Sequence, residues 1–470
     1  MPNTAAKPRG SKLAIVGLIL LASILAMIPP EFALPLMLLI GAVLLTWTLK
    51  YPLLYSAVFL IPFVGLTFNF NDYGLLRSIP LIGNWDAPIG DFIALLVTVV
   101  FGMYMVHYER EKHIYHHLKD HLPALKWYGP FLVVAALTIF RAPREMQAIS
   151  FQYFIRFVLF SYIAYVAMPY WMIKTKKQLR KVIHVCSWSG IVVAILGASS
   201  LLVNEPFWGI WRRVSPFTIG GIAPVGLNHN LLAEFLITVI PITLYVAAHT
   251  HERYKKFYIA SAIFMTIIVL LTFGRTAWIV LAVQGLAAWW FLRPKEITHK
   301  LLRAWPALVV GAVLVIYMGI FSASDFVQLS TNSRVDLTKF ALIQAQETPW
   351  LGHGIGTFMP TLDRSGAFNL EYGGPIEAHG FGQKILFETG IVGLALFVMF
   401  FIYLLLALTS AWNKSHHKDY KNLILAVYIS LLGALVFQVF NTSYFNAKLW
   451  FPVGLALVVL IGKWKFKSKV

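Results

Sequence analysis

Long apolar runs separated by short polar segments dominate the chain. About fourteen of these runs predict membrane-spanning helices, since one span needs roughly 20 apolar residues. The polar connections contain no convincing repeat and no low-complexity linker, which predicts a single membrane domain over residues 1–470. The predicted spans are 13–29, 33–48, 52–66, 91–107, 127–140, 151–171, 182–203, 230–248, 257–273, 275–292, 305–322, 381–409, 422–440 and 448–464.

Two connections are much longer than a link between neighbouring helices requires. One runs from Asn204 to His229 and the other occupies residues 322–380. In the second, residues 333–346 have a helical pattern and a glycine-rich turn follows from Pro349 to Gly356. Because long ordered loops commonly carry function, these two segments are the candidate locations of a site.

Composition agrees with the membrane class. Apolar residues make up 59% of the 470 residues and charged residues only 13%, unlike a soluble domain. The single cysteine, Cys186, lies inside an apolar run and excludes an intrachain disulfide. The first run, 13–29, follows a basic start as a signal peptide does. It lacks a clear small-residue cleavage site, and we interpret it as the first helix.

Charge predicts the orientation. With a cytoplasmic N-terminus, the cytoplasmic segments hold 27 of the 39 Lys and Arg residues but only 6 of the 20 Asp and Glu residues. The positive-inside rule therefore predicts that both termini are cytoplasmic and that residues 322–380 face outward. The net charge of +19 then reflects topology and attraction to anionic lipids, and we expect no nucleic-acid partner.

The predicted outer side and spans hold few basic residues, but most of these are arginine. Arginine binds phosphate or carboxylate with two parallel hydrogen bonds. The preference for arginine over lysine therefore predicts an anionic ligand on this side. The alternative is that single arginines pair with acids such as Asp86 or Glu145. The nine arginines are Arg77, Arg141, Arg144, Arg156, Arg212, Arg213, Arg275, Arg334 and Arg364.

Two arginines fall within or beside apolar runs. Arg275 stands in a hinge between two spans, where a charge costs roughly 2.5–3.5 kcal/mol on insertion scales and marks a functional candidate. Arg156 lies about one turn below the predicted outer surface, where snorkelling to the interface is the alternative. Glu388 could neutralise these charges, or it could pair with Lys384 one helical turn away.

Histidines offer two further candidates for chemistry. His379 lies where the long outer segment meets a predicted helix, a position that can face both a lipid-borne donor and an aqueous acceptor. A capping or interface role is the alternative for His379. The histidines of residues 107–121 alternate with lysines and acids, so we interpret that segment as a solvated linker and predict no metal site.

The order of these motifs resembles the O-antigen ligase and O-antigen polymerase superfamily of bacterial membrane glycosyltransferases. The resemblance covers roughly residues 215–410. One departure is Gly380, where members usually have Asn or Ser, and this puts the local hydrogen bonding in question. The matching residues are the hinge Phe273–Trp278 with Arg275, then Arg334, then Pro349, Gly352, Gly354, Gly356 and Phe358, and last His379, Glu388, Gly390, Gly393 and Leu394.

The resemblance implies an all-helical membrane bundle in the cell inner membrane, with its active site on the outer face. It implies transfer of a glycan from an undecaprenyl diphosphate carrier to an acceptor hydroxyl, without metal or other cofactor. Arg275 and Arg334 would hold the diphosphate, and His379 would act as general base or orient the acceptor at a pKa near 6.5. Further diphosphate-binding candidates are Arg156, Arg212 and Arg213, and supporting candidates are Glu388, Glu377, Asn228 and His229.

Three kinds of acceptor are compatible with the sequence. A ligase would transfer the glycan to lipid A-core, a polymerase to another carrier-linked glycan, and a protein O-oligosaccharyltransferase to a Ser or Thr. A transporter of lipid-linked sugars would instead spread charges through the midplane between symmetric halves. Polar residues here gather at one face, which favours the transferase.

Overall fold

The computed structural model describes residues 49, 51–69, 86–112, 122–203, 206–208, 211–292 and 325–461. The predicted spans 13–29, 33–48 and 305–322 lie outside the described residues. The described chain is mainly helical. Its helices are Tyr51–Leu60 (α1), Ile89–Lys112 (α2), Leu125–Thr138 (α3), Arg144–Met172 (α4), Lys176–Val203 (α5), His229–His249 (α6), Glu252–Leu271 (α7), Arg275–Leu292 (α8), Asp325–Glu347 (α9), Phe358–Ser365 (α10), Ala367–Tyr372 (α11), Phe381–Lys414 (α12), Lys418–Phe440 (α13) and Ala447–Ile461 (α14).

Seven of the described helices are long and apolar enough to cross a membrane, namely α4, α5, α6, α7, α8, α12 and α13. Helices α1 and α14 and the first part of α2 are apolar but shorter. The predicted span 127–140 forms α3, whose 14 residues fall short of the roughly 20 that a perpendicular span needs. The multi-pass helical class is confirmed, whereas the number of fourteen spans and the orientation stay predictions.

Short antiparallel strand pairs interrupt the helical chain at two places. The strands are Thr67–Asn69 (β1) with Asp86–Pro88 (β2), and Pro206–Trp208 (β3) with Trp211–Arg212 (β4). The second pair begins the long connection that the sequence predicted between Asn204 and His229. That connection is largely irregular from Arg213 to Asn228.

Helix α6 is the most deeply buried of the spanning helices. It packs against α5, α7 and α13, and nearly all its side chains from Leu232 to Ala247 are buried. Asn228 caps its N-terminus, with the side-chain oxygen accepting from Asn230 N at 2.8 Å. The start of α6, including His229, is therefore fixed on the core of the bundle.

The hinge predicted between two closely spaced spans is confirmed. Helix α7 ends at Leu271 and α8 begins at Arg275. Phe273 in the turn has a φ of +51°, and the indole N–H of Trp278 donates to the carbonyl of Leu270 at 3.1 Å. Arg275 consequently sits at the first residue of α8, at the end of the helix pair.

The predicted outer segment contains the helix that its pattern indicated. Residues 333–346 belong to α9, which begins earlier, at Asp325. After α9 the glycine-rich turn packs against the backbone of α12, where Gly390 adopts φ +66° and kinks the helix. A Cβ on Gly390 would lie 2.3 Å from the carbonyl carbon and oxygen of Trp350.

Hydrogen bonds join this turn to the kink. The kink leaves carbonyls of α12 without helical partners, and the N–H groups of His353 and Gly354 donate to Phe387 O (2.9 Å) and Glu388 O (3.0 Å). Beyond the kink, Ile391 N donates to Pro349 O at 2.8 Å. The turn thus satisfies backbone groups that the bent helix cannot satisfy itself.

Gly390→Ala tests this junction. Alanine meets both a left-handed backbone and a backbone contact, so we expect it to lower the free energy of unfolding by at least ~2 kcal/mol. Gly382→Ala is the matched control, because a Cβ there has no neighbour within 4 Å, and we expect a change below ~1 kcal/mol. Thermal unfolding of both variants in detergent measures the difference, and equal melting temperatures would contradict the account.

Candidate functional site

Arg213 ties the irregular connection to the hinge between α7 and α8. Its Nε donates to the carbonyl of Thr272 at 2.7 Å, and the N–H of the next residue donates to Leu271 O at 2.9 Å. Its guanidinium also contacts Nε2 of His229. Because a guanidinium only donates, this ring nitrogen accepts, so His229 is neutral in this contact.

Arg275 lies beside Arg213. Burial, and then the charge of Arg275, lower the pKa of Arg213 to about 10, so Arg213 stays charged at neutral pH. Arg275 reaches helix α9 through a hydrogen bond from Nη1 to the hydroxyl of Thr331 at 3.4 Å. Arg334 follows Thr331 by three residues and lies on the same face of α9.

His379 completes the arrangement. It is half-buried just before α12, and burial, followed by the charge of Arg334, lowers its pKa to about 4. The charge of Arg334 also acts on His229. We name Arg213, Arg275, Arg334, His229 and His379 the arginine–histidine cluster.

The cluster combines three guanidinium groups with imidazoles that are neutral at pH 7. Burial is the larger cause of the lowered pKa of Arg213, and repulsion by the positive charge of Arg275 adds to it. A multiply charged anion bound among them would relieve that repulsion and accept several charge-assisted hydrogen bonds. The cluster is therefore a candidate binding site for a diphosphate-sized anion.

Two predicted anion-binding residues lie elsewhere. Arg212 donates to the carbonyls of Leu201 (2.8 Å) and Leu202 (3.1 Å), at the C-terminal end of α5, which is a helix-capping position. Arg156 contacts the backbone carbonyl of Asp86 and lines an apolar cavity of about 140 Å³ between α2 and α4. The structure gives both arginines local partners and does not place them among the cluster residues.

Pairing of an arginine with an acid, the alternative to anion binding, occurs at another position. Arg364 of α10 and Glu145 at the start of α4 form an ion pair of 2.7 Å between exposed side chains. This pair joins the long segment to α4. The nine arginines of the predicted outer side and spans therefore include both residues that pair with acids and residues that belong to the cluster.

Glu377 and Glu388 hold a buried lysine rather than an arginine. The side chain of Lys384 is 2% exposed, contacts Glu377, and lies 3.7 Å from Glu388 Oε1. Glu388 also accepts from the N–H of Phe358 (3.4 Å) and the hydroxyl of Tyr444 (3.2 Å). The helical pairing of Lys384 with Glu388 was one of two alternatives in the sequence, and it is the arrangement in the structure.

Sequence reasoning missed the central part that Lys384 plays in this ion triad. A lysine near the start of an apolar helix was a signal, because a buried ammonium without a charged partner is strongly unfavourable. The triad fixes the segment immediately before His379. Glu377 and Glu388 belong to this triad, and Asn228 caps the helix that begins at His229.

Residues 260–398 match the family model described as O-antigen ligase. The matched residues extend from α7 into α12. The match confirms the resemblance that the motifs predicted, and it includes Arg275, Arg334 and His379. Arg213 and His229 lie outside the matched residues, yet the structure packs them against the same site. No curated protein matches the chain.

Arg334→Gln tests the electrostatics of the arginine–histidine cluster. Removing a neighbouring positive charge favours protonation of an imidazole, so we expect the pKa of His379 to rise above about 4. The rise should stop below the ordinary histidine value, because burial is the larger cause and remains.

The pKa is measured from the pH dependence of diethyl pyrocarbonate modification of the peptide that contains His379. Arg364→Gln is the control, since it removes an arginine that pairs with Glu145. An equal pKa in both variants would show that Arg334 does not act on His379.

Proposed function

We propose that the chain is a glycosyltransferase of the cell inner membrane that acts as an O-antigen ligase. It transfers a glycan from undecaprenyl diphosphate to lipid A-core on the outer face of the membrane. The arginine–histidine cluster carries the proposal, because its charge suits a diphosphate and three of its members lie in the matched domain. The reaction requires no metal ion in this proposal.

Arg275 and Arg334 bind the carrier diphosphate, with Arg213 beside them. Their positive charge stabilises the negative charge that develops on the diphosphate as its bond to the glycan breaks. Such preorganised groups lower the barrier because they need no reorientation in the transition state. Arg212 and Arg156 contact other groups, and in this proposal they do not bind the diphosphate.

His379 accepts the proton of the acceptor hydroxyl as the hydroxyl oxygen attacks the anomeric carbon. A pKa of about 4 leaves the imidazole neutral and available at pH 7, although it is then a weak base. A diphosphate bound at Arg334 offsets the guanidinium charge that lowers this pKa. Donor binding therefore strengthens His379 as a base when the reaction needs it.

A polymerase of the same superfamily is the second candidate function. It uses the same carrier-linked donor, so the cluster would bind the same diphosphate, and only the acceptor differs. Deletion of the protein followed by analysis of surface glycans distinguishes the two. A single repeat still attached to the core indicates a polymerase, and unattached polymer on the carrier indicates a ligase.

The arginines are tested by substitution. Arg275→Ala and Arg334→Ala should weaken binding of the donor and slow its transfer together, because each removes a charge that holds the diphosphate. Lysine at either position should restore activity only in part, since it keeps the charge but not the planar fork. Arg364→Ala, outside the cluster, should leave both quantities unchanged.

His379 should behave differently from the arginines. Replacement by Ala or Gln should leave donor binding nearly intact while transfer falls by roughly 10²–10⁴-fold, the effect of losing an acid–base group. Initial rates at saturating donor and direct binding of the carrier lipid measure the two effects. Loss of donor binding with residual transfer would place His379 in the diphosphate site, and full activity would refute its role.

A further inference from the structure

Three residues on the segments that meet next to His379 each carry a buried polar atom without a protein partner. Within the described ranges, Glu377 Oε1, Gln383 Oε1 and Asn441 Nδ2 are buried and take part in no hydrogen bond. Such atoms are rare in folded proteins, because burial of a polar group without a partner is unfavourable. Each of them therefore requires a ligand or a water molecule as its partner.

The orientation of Gln383 follows from its neighbour. The hydroxyl of Thr338 donates its only proton to the carbonyl of Arg334 at 2.7 Å, so toward Gln383 it can only accept. The amide nitrogen of Gln383 donates to this hydroxyl at 2.7 Å. Its Oε1 is consequently turned away from Thr338 and remains an unused acceptor.

The orientation of Glu377 is fixed in the same way. The ammonium of Lys384, whose side chain is 2% exposed, contacts Oε2 of Glu377. The other oxygen, Oε1, keeps its acceptor capacity. The ion triad thus holds one unused carboxylate oxygen two residues before His379.

Gly380, the residue after His379, connects the segments that carry these three side chains. A Cβ on Gly380 would lie 3.1 Å from Gln383 Oε1. The N–H of Gly380 donates to the hydroxyl of Thr442 at 2.9 Å, and Asn441 directly precedes Thr442. Glycine at this position leaves room beside the amide oxygen of Gln383.

We propose that Glu377, Gln383 and Asn441 form a subsite for sugar hydroxyls beside His379. Two acceptors and one donor match hydroxyl groups, which both donate and accept. A carboxylate and an amide oxygen repel phosphate, so this subsite takes a neutral sugar while the arginine–histidine cluster takes the diphosphate. The inference rests on the proposed function, because it assigns the glycan of that reaction.

The sugar hydroxyls bound at this subsite belong either to the acceptor or to the transferred glycan. The affinities of the protein for two soluble probes distinguish these two sources. One probe is core oligosaccharide freed of lipid, from cells that lack this protein. The other is the glycan released from its carrier by mild acid. Isothermal titration of each probe into the purified full-length protein gives its dissociation constant.

Gln383→Met removes the unused acceptor while keeping the volume of the side chain. We expect about tenfold weaker binding of one probe, the effect of losing one hydrogen bond to a ligand. Thr338→Val is the matched control, because it removes the same Thr338–Gln383 bond but leaves Gln383 Oε1 in place, and we expect less than about a twofold change. Ligand-free melting temperatures verify that both variants fold.

The probe whose affinity falls identifies the source of the hydroxyls. Wild-type affinities in Gln383→Met for both probes, or no binding of either probe to the wild-type protein, would overturn the subsite and assign these atoms to water. Transfer by the Arg275→Ala variant is measured in parallel. Full transfer there would refute the proposed function, whereas the subsite is judged from the sugar affinities alone.

Discussion

The bend in α12 at Gly390 is the constraint on which the site depends. A helix that bends there exposes carbonyl and N–H groups inside the protein, and another stretch of backbone approaches closely enough to satisfy them. The glycine-rich turn provides that backbone, and Gly352 permits an approach at which a Cβ would lie 2.5 Å from Phe387 O. One junction therefore fixes the end of α9 and the start of α12 together.

The cluster follows from that junction. Arg334 is carried by α9 and His379 precedes α12, so their separation is set by how the two helices are joined. The hinge between α7 and α8 adds Arg275, and the connection before α6 adds Arg213. Each arginine is carried by a separate element, so the positive charge of the cluster depends on how these elements pack together. Positive charge concentrated in this way attracts an anion.

The sequence predicted those features that depend on local composition. Apolar runs predicted the helices, and the depth of Arg275 and the motif around His379 indicated the site before any geometry was known. Contacts between distant segments were not predictable in this way. The sequence treated Arg212 and Arg213 alike, yet one caps α5 and the other reaches His229. Lys384 was likewise interpreted from its own helix alone, although its closest acid precedes that helix.

The proposed function depends on binding of a lipid-carrier diphosphate by the arginine–histidine cluster. Its most direct test is the affinity of the purified protein for undecaprenyl diphosphate, undecaprenyl phosphate and undecaprenol, three lipids that share one tail and carry two, one and no phosphate groups. We expect the diphosphate to bind on the order of 10²-fold more tightly than the alcohol, with the monophosphate between them, since each charge-assisted hydrogen bond contributes roughly 1.5–3 kcal/mol. Equal affinity for all three lipids would contradict the account.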